Sequence, residues 1–547
     1  MQETLRKRIF AKWNTYAIWM IVIVLSSILL KVALLLVDVI PFNADEAIVG
    51  LLARHFLRGE WQIFFYGQAY MGTLDASLVA AVFALFGPHV ILIRVVQILL
   101  FAGTVVTTGY LGRQIFRSDQ VGLIAAILVA IPNVNTTLYT TVSLGGYGEI
   151  LLIGNVLLIA ALKVHENSKR IWYILWGFLT GLGIWAFGLI LVYVVPTAFL
   201  ILYVSIMDKR KAQRFKDLSY AGIFLVIGLF PWFLYAITNG FSPLIEELFG
   251  SAISGASPSN LGMAILSHAY NFLLFGTTVI MGLRPPWEIR WLAKPLLPLA
   301  LGFWLIVFAF ALRNLNKRDD ASVGRLILFG VLATLLLGFI FTPFGADPSG
   351  RYFLPFTIPL AIFAAEFCSN LHKQTHLGKW IYALILFLLT FNLWSTVEAA
   401  RNYPPGLTTQ FDPVSWIDHR FDEPLIAFLE KEGERRGYTN YWVAYPLAFQ
   451  SEEKLIFVPR LPYHQDFRYT TRDNRYLPYN TLVEESEKVA YITTNHPALD
   501  EVLRDGFRSL GVSWDEKWIG NYHVFYGLSE AVRPRELDLD EIIPDGS

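Results

Sequence analysis

Long apolar segments recur from Tyr16 to about Val397, and this feature constrains the fold of the chain more than any other. A run of roughly 18 or more apolar residues is long enough to cross the hydrocarbon core of a bilayer as a helix. The chain of 547 residues is 55% hydrophobic and only 16% charged, well below the charge content of a soluble protein. The pattern predicts a polytopic α-helical membrane protein. About eleven transmembrane helices are expected, near residues 16–40, 88–111, 120–139, 148–163, 171–187, 188–206, 219–238, 295–312, 324–343, 353–370 and 380–397.

Basic residues are distributed unevenly among the connections between these segments. One alternate set of connections carries GRQIFR, KVHENSKR, DKRKAQRFK and RNLNKR, and the opposite set has few Lys or Arg. The positive-inside rule assigns the basic set to the cytoplasm. With an odd number of spans, we expect a plasma-membrane protein with a cytoplasmic N-terminus and everything after Val397 outside. The apolar stretch Leu261–Leu283, within the long outer loop 239–294, leaves an alternative open, because an additional span there would place the C-terminal part inside.

Several outer segments do not look like spans. Residues 44–87 are expected to form an amphipathic interfacial helix followed by a short re-entrant helix, so that residues 1–397 constitute the membrane domain. A Pro-rich linker at 398–424 leads to a small extracytoplasmic α/β domain at 425–536, and residues 537–547 form an acidic tail. In that domain we predict helices at Pro424–Arg436 and Asn495–Leu510 and strands at Tyr441–Phe449, Lys454–Pro459, Lys488–Thr493 and Tyr522–Tyr526.

Two adjacent carboxylates, Asp45 and Glu46, stand just after the first span. Carboxylates at the mouth of a membrane protein can act as a general base, as metal ligands or as an ion gate. Alternatively they only begin the interfacial helix, where negative charge is favoured by about 0.3–1 kcal/mol. Asn43 and Asp45 can both cap this helix and only one cap is needed. We therefore take Asp45 and Glu46 as candidate catalytic residues.

Glu149 is a third candidate catalytic residue. It lies in the first turn of the predicted fourth span, directly after the sequence GGYG. An ionisable group inside the apolar boundary is costly, about 2.5–3.5 kcal/mol at the helix centre and less near its end. A functional interpretation places Glu149 at the same outer cavity as Asp45, whereas the alternative is a carboxylate that merely begins the helix.

Arg351 stands at the outer start of the tenth predicted span, on the side where arginines are few. A guanidinium binds phosphate through two hydrogen bonds and keeps its charge in a low-dielectric site. Arg351 is thus a candidate for binding a donor phosphate, together with Tyr352 and, in the long outer loop, Arg284. The alternative for Arg351 is an ion pair with Asp347 or contact with lipid headgroups.

Polar and aromatic residues near these groups are candidates for a sugar or acceptor pocket. Gln68 and Tyr70 lie between the interfacial and re-entrant helices, and Tyr147 precedes Glu149. A tyrosine ring can stack on a sugar, but an aromatic belt at the membrane interface explains the tyrosines equally well.

The order of these motifs resembles the GT-C superfamily of polyprenyl-phosphate-sugar-dependent glycosyltransferases. A first span, adjacent acidic residues and an interfacial helix are followed by a short apolar helix ending in FALFG and a second span ending in GRQIF. Glu149 at the start of the fourth span and the sequence RYFLP at 351–355 continue the match. The chain looks most similar to the bacterial protein O-mannosyltransferase and aminoarabinose transferase families, over roughly residues 10–370.

The resemblance implies that Asp45 is the catalytic carboxylate and that Glu149 occupies the second acidic position of the membrane domain. Two features depart from the related families. The aminoarabinose enzymes have Lys-Pro-Pro where this chain has Gly67-Gln68-Ala69, and the Trp-Trp-Asp-Tyr-Gly signature of oligosaccharyltransferases is absent. The second departure argues against en bloc transfer of a glycan to asparagine.

The function expected from these observations is transfer of a single hexosyl or pentosyl unit from a polyprenyl-phosphate donor to an acceptor hydroxyl at the outer face. The acceptor is a protein, a lipid or a glycan, and the anomeric centre is inverted with Asp45 as general base.

No cofactor is required by any motif, although Asp45, Glu46 and Glu149 could together hold a divalent cation. The expected partners are the lipid-linked donor, the acceptor and membrane lipids. The net charge is zero, so nothing suggests that the protein binds nucleic acid. A secondary transporter or a flippase for lipid-linked sugars is the alternative, and it predicts charged groups near the bilayer midplane. The C-terminal domain, rich in aromatic residues, recognises the acceptor, covers the cavity or is a stabilising cap.

Overall fold

The computed structural model describes residues 2–208, 211–248, 260–374, 378, 380–537 and 539. The membrane region contains α1 (Gln2–Leu36), α2 (Ala44–Leu57), α3 (Leu74–Phe86), α4 (Val90–Phe116), α5 (Asp119–Ala130), α6 (Val134–Tyr139), α7 (Tyr147–Asn167), α8 (Arg170–Ala186), α9 (Leu191–Met207), α10 (Lys211–Gly228), α11 (Phe230–Asn239), α12 (Ser242–Leu248), α13 (Leu261–Tyr270), α14 (Thr277–Ile280), α15 (Leu297–Leu315), α16 (Ser322–Phe341), α17 (Thr357–Gln374) and α18 (Trp380–Ala400). A hairpin of β1 (Phe64–Phe65) and β2 (Gln68–Gly72) joins α2 to α3.

The C-terminal domain is built from four helices and five strands. These are α19 (Asp422–Glu432), β3 (Arg436–Thr439), α20 (Tyr441–Gln450), β4 (Ile456–Pro459), α21 (Pro478–Glu484), β5 (Ala490–Thr494), α22 (Pro497–Ser509), β6 (Asp515–Ile519) and β7 (Tyr522–Tyr526). The strand order is β4-β3-β5-β7-β6, with β3 parallel to β4 and β5 and the other pairs antiparallel.

Membrane-spanning helices dominate the described part of the chain. Nine helices there have the length and hydropathy to cross a membrane, and α10 with α11, bent by 56°, qualifies as one further span. A polytopic α-helical membrane protein with a small C-terminal α/β domain is therefore confirmed as the class of fold. The expected spans at 120–139 and 171–187 correspond to α5 and α8, which have 12 and 17 residues.

The helices run between two faces. The connections rich in Lys and Arg gather at one of them: Arg117 pairs with Asp320 at 2.6 Å, and Arg214 donates to the carbonyl of Ser168 at 2.8 Å. We call this the basic face. The C-terminal domain packs at the opposite face, where α1 ends and α2 begins, and we call that the domain face.

The apolar segment Leu261–Ile280 stays at the domain face from His268 onward. The His268 ring contacts the carbonyl of Ile340 at 3.0 Å, at the domain-face end of α16. At the other end of the segment, Asn133 donates to the carbonyl of Ile280 at 2.8 Å, next to α6. This part of the segment therefore lies along the domain face, although its length alone would allow a span.

The helix α2 differs from the expected interfacial helix. Every residue of Ala44–Phe56 except Asp45 is buried, so no polar face meets lipid headgroups. One side packs on α3 and α4, and α20 of the C-terminal domain covers the other. Its polar residues Arg54 and His55 are buried because the C-terminal domain supplies their partners.

The C-terminal domain also corrects two predicted elements. The segment Tyr441–Phe449, predicted as a strand, forms α20, since Asn440 caps it and accepts from the backbone N–H of Trp442. A short apolar run buried on all sides carries no periodicity that would separate a helix from a strand. The helix predicted at Pro424–Arg436 is α19, and it ends at Gly433 with φ 74°. The predicted tail lies largely outside the described residues, but Leu537 and Leu539 are buried.

The helices α2 and α20 lie side by side and run in the same direction. Their N-terminal ends meet where the Tyr441 hydroxyl donates to Asp45. Midway, the Phe449 ring fills the space over Gly50, where an added Cβ would lie 2.6 Å from the ring. At the C-terminal ends, His55 contacts Glu453 at 2.9 Å. This packing holds the C-terminal domain directly over the candidate catalytic residues.

Candidate active site

Asp45 is the partly exposed carboxylate at the start of α2. The cap of this helix is Asn43, whose side chain accepts from the backbone N–H of Glu46 at 3.0 Å, so Asp45 is not needed as a cap. The Tyr441 hydroxyl donates to Oδ1 of Asp45 at 2.6 Å. A carboxylate left free by its helix cap, and reached by a donor from another domain, can serve as a proton acceptor.

Tyr70, on β2, lies where several charged groups of the site meet. Burial raises the pKa of the Tyr70 hydroxyl, the charges of Arg475 and Arg351 lower it, and the charge of Asp45 raises it further. With its amide oxygen facing Arg475, Gln68 accepts from both terminal guanidinium nitrogens at 2.6 and 2.8 Å and from the Tyr70 hydroxyl at 2.9 Å. Asp45 and Arg351, distant in sequence, are thus brought to one cluster at the domain face.

Arg351 lies in a 3₁₀ turn just before α17. Its Nε and one terminal nitrogen donate to Oδ2 of Asp347 at 3.1 and 2.6 Å, so the ion pair considered as an alternative is present. The side chain remains 34% exposed, and its guanidinium lies 5.2 Å from the centre of the Tyr352 ring. Asp347 accepts from two of the five N–H groups, so the guanidinium keeps further donors with which it can meet an anion.

Tyr147 joins the same cluster through Phe187. Its ring centre lies 4.9 Å from that of Phe187, and the Tyr70 ring lies 6.4 Å from Phe187 on the other side. The turn before Tyr147 needs glycine: Gly146 has φ 75°, and an added Cβ would lie 2.9 Å from the Cβ of Phe187. Glycine at this position therefore lets the backbone before Tyr147 pack closely against Phe187.

Glu46 points away from this cluster. Its carboxylate is completely buried and accepts from Arg94 through Nε at 3.0 Å and through a terminal nitrogen at 2.9 Å. The same guanidinium donates to the carbonyl of Pro41. This bidentate pair ties α2 to α4, and Glu46 does not share the environment of Asp45.

Glu149 belongs to a second, sealed polar cluster. Both of its carboxylate oxygens are buried without a hydrogen-bond donor, and they face the carboxyl of Asp75 within hydrogen-bonding reach. Asp75 in turn accepts from Gln97 at 2.9 Å and from the Ser143 hydroxyl. Glu149 therefore pairs with Asp75 instead of opening onto the surface beside Asp45.

Arg284 is occupied by the protein backbone. Its guanidinium donates to the carbonyls of Pro285, Glu288 and Phe275 at 3.0, 3.3 and 3.1 Å, and only 4% of the residue is exposed. Burial lowers the pKa of Arg284 to about 10. The described part of the loop 239–294 is organised around this side chain, and these contacts leave no face of it for a donor phosphate.

Solved structures with a similar fold are known. The chain superimposes on ArnT of Cupriavidus metallidurans bound to undecaprenyl phosphate with a TM-score of 0.60 at 12% identity, covering 95% of this chain and 99% of that one. It superimposes on the oligosaccharyltransferase of Archaeoglobus fulgidus with a TM-score of 0.54 at 12% identity, covering 88% and 69%. The chain therefore shares the fold of these two proteins, which is the fold expected from the resemblance to the GT-C superfamily. No family model matches this chain, and no curated protein matches it.

The three carboxylates considered for a divalent cation do not come together. Asp45 contacts Tyr441, Glu46 contacts Arg94, and Glu149 faces Asp75. In the described part of the chain, no three His, Cys, Asp or Glu side chains are grouped so that they could hold a metal ion.

Two residues of the C-terminal domain join the site without having been predicted as site residues. Tyr441 contacts Asp45 although 396 residues separate them, and the Arg475 guanidinium lies 5.6 Å from the centre of the Tyr441 ring. Next to Arg475, burial raises the pKa of Asp473 to about 7, with the charge of Asp45 adding to the rise. The sequence marks Tyr441 only as one aromatic residue among many, and Arg475 has no local motif that would have revealed it.

Proposed function

We propose that this protein is a membrane glycosyltransferase that moves a single sugar from a polyprenyl-phosphate donor to an acceptor hydroxyl. The observation that carries the proposal is the chain of contacts at the domain face that leads from Asp45 through Tyr441, Arg475 and Gln68 to Tyr70, whose hydroxyl is also in the field of Arg351. One neighbour with this fold was solved with undecaprenyl phosphate bound, which supports a lipid-phosphate donor. Such a donor supplies sugar at an outer face, where nucleotide sugars are absent.

Asp45 acts as the general base in this proposal. The acceptor O–H bond breaks as the oxygen attacks the anomeric carbon, and the proton passes to Asp45. The bond between that carbon and the phosphate oxygen breaks on the opposite side, so the electron pair leaves with the polyprenyl phosphate and the anomeric centre is inverted. Oδ1 of Asp45 is held by Tyr441, which leaves Oδ2 to accept the proton.

Arg351 binds the donor phosphate. It retains N–H groups beyond those used by Asp347, and its charge stabilises the phosphate as negative charge develops on the leaving oxygen. Tyr352 lies under the guanidinium, and the partly exposed Tyr70 provides an aromatic surface for a sugar ring, while the buried Tyr147 packs against Phe187 beside it.

The other candidate residues, two acidic and one basic, have supporting roles. Glu46 fixes α2 to α4 through Arg94, which holds the helix that carries Asp45. Glu149, paired with Asp75, fixes the glycine turn that carries Tyr147. Arg284 shapes the outer loop and takes no part in donor binding.

The first test replaces Asp45 by Asn in protein purified in detergent and measures release of labelled sugar from a polyprenyl-phosphate donor. General-base catalysis contributes about 10²–10⁴-fold in rate, so Asp45→Asn should lower turnover by that factor while thermal unfolding is unchanged.

Two outcomes would contradict the proposal. Full turnover in Asp45→Asn would show that Asp45 is not the general base. Movement of intact donor between the leaflets of proteoliposomes, without release of label from the lipid, would identify a flippase instead.

A further inference from the structure

The C-terminal domain reaches the proposed base through Tyr441, the first residue of α20. Tyr441 follows β3 directly, and Asn440 fixes the junction by capping α20 and donating to the Thr494 hydroxyl at 2.9 Å. The position is thus determined by the sheet of the domain and its helix cap, and not by a loose surface loop.

The surroundings of Tyr441 keep its ring in one orientation. The residue is 4% exposed, and the rings of Trp442 and Tyr445 lie edge-on at 5.1 and 5.5 Å between centres. Its hydroxyl makes a single hydrogen bond within the described part of the chain, the one to Oδ1 of Asp45. Burial raises the pKa of Tyr441 and the charge of Asp45 raises it further, so the phenol stays neutral and donates its proton to the carboxylate.

Arg475 links the same part of the domain to the hairpin of the membrane region. Two of its nitrogens donate to Gln68, which also accepts from Tyr70, while its guanidinium lies over the Tyr441 ring. Burial opposes the charge of Arg475, but Tyr441, Tyr70, Asp473 and Asp45 raise its pKa, so it remains a cation. The domain therefore places a neutral donor and a positive charge beside Asp45.

We propose that the C-terminal domain completes the active site, with Tyr441 as the positioning residue that orients the Asp45 carboxylate and Arg475 as the clamp that holds the Gln68–Tyr70 strand against it. The proposal rests on the proposed function of Asp45. Without Tyr441, the carboxylate can rotate and its charged form loses a hydrogen bond, so fewer molecules hold a base in the reactive geometry.

The test compares Tyr441→Phe with Tyr491→Phe. Tyr491 is a matched control, because its buried hydroxyl donates to the carbonyl of Val532 within the same domain, away from Asp45. Tyr441→Phe should lower kcat on the order of tenfold with little change in the KM for the donor, and should move the acid limb of the pH–rate profile upward by about one pH unit. Tyr491→Phe should leave the position of that limb unchanged.

A structural role alone would lower the amount of folded protein without moving the pH profile. Unchanged profiles in Tyr441→Phe, with Asp45→Asn inactive, would overturn the positioning role and leave the proposed function intact. Full activity of Asp45→Asn would contradict both the positioning role of Tyr441 and the proposed function.

If Tyr441→Phe does not fold, Tyr441→3,5-difluorotyrosine, introduced by amber suppression, keeps the ring and makes the hydroxyl a stronger donor. The acid limb should then move to lower pH, and an unmoved limb would overturn the proposal.

Discussion

At the scale of single residues, Asp45 and Glu46 show how far the roles of neighbours can diverge. Successive residues of an α-helix point about 100° apart. Asp45 consequently reaches the surface and Tyr441, whereas Glu46 points into the bundle and pairs with Arg94. In the sequence, both are acidic residues in the first turn of a helix. Their roles differ because their partners, Tyr441 and Arg94, lie in different directions from the helix.

We predict that Glu46→Gln destabilises the protein without removing its chemistry. The substitution leaves the Arg94 charge buried without its counter-ion, which costs about 3–5 kcal/mol when one partner of a buried pair is lost. Thermal unfolding in detergent should shift to lower temperature, while the folded fraction keeps its turnover. Glu60→Gln, at an exposed position just beyond the other end of α2, is the control and should unfold like the wild type. A wild-type Tm for Glu46→Gln would contradict this role.

The two arginines selected from the sequence should respond differently to truncation. Arg351→Ala should reduce kcat/KM for the donor roughly 10–100-fold, because a charge-assisted contact to phosphate contributes about 1.5–3 kcal/mol. Arg284→Ala should lower the Tm, since three backbone carbonyls lose their donor, and should leave the donor KM of the folded protein unchanged. Donor kinetics that change equally in both variants would argue against the assignment of Arg351.

At the scale of elements, the contact between α8 and α10 depends on glycine. A Cβ added at Gly177 or Gly181 would lie 2.1 Å from the carbonyl oxygen of Ala221 or Leu225. The two backbones are in direct contact, as expected where small residues line a helix pair in a membrane.

We predict that Gly181→Ala forces these helices apart and lowers the Tm of the protein, because backbone atoms cannot yield as a flexible side chain can. Gly222, on α10, is the matched control: an added Cβ there meets nothing within 4 Å. Gly222→Ala should be neutral or stabilising, since alanine is favoured over glycine in a helix by about 0.5–1 kcal/mol. Equal Tm values for the two variants would exclude close backbone packing as the cause.

Elements with a strong periodic signal were predictable from the sequence, and elements defined by tertiary contacts were not. The apolar runs predicted the membrane helices, and β7 was predicted at Tyr522–Tyr526 with its observed bounds. The helix α20 was mistaken for a strand because all its sides are buried. The candidate site followed the same division: Asp45 and Arg351 carry local signals, whereas Tyr441 and Arg475 enter only when the C-terminal domain folds back on α2.

At the scale of the whole molecule, Glu453 is the main polar anchor between the C-terminal domain and the membrane region. It contacts His55 at 2.9 Å and Arg58 at 2.7 Å and accepts from the Tyr479 hydroxyl at 2.9 Å. Burial opposes its ionisation, but these partners lower the pKa of Glu453 from 4.5 to about 2. Its contribution to docking is therefore complete above pH 4.5 and is lost as the pH falls through about 2.

We predict that docking of the domain loosens over this acid range in the wild type and that Glu453→Gln loosens it already at pH 7. Distances between spin labels at Gln62 and Glu430, both exposed, measure the separation in a background with Cys368→Ser. Glu452→Gln is the control, since the Glu452 side chain is 70% exposed and pairs with Lys454 of its own domain. Distances that stay constant in Glu453→Gln at neutral pH would show that apolar contacts alone hold the domain.

The parallel pairing of α2 with α20 has a mechanical consequence. The helix α2 is a stiff rod about 20 Å long that carries Asp45 at one tip and the Glu453 anchor at the other. Tilting the rod at the anchor must displace Asp45, so under the proposed function a compound bound beneath Glu453 would inhibit turnover from a distance without competing with donor or acceptor.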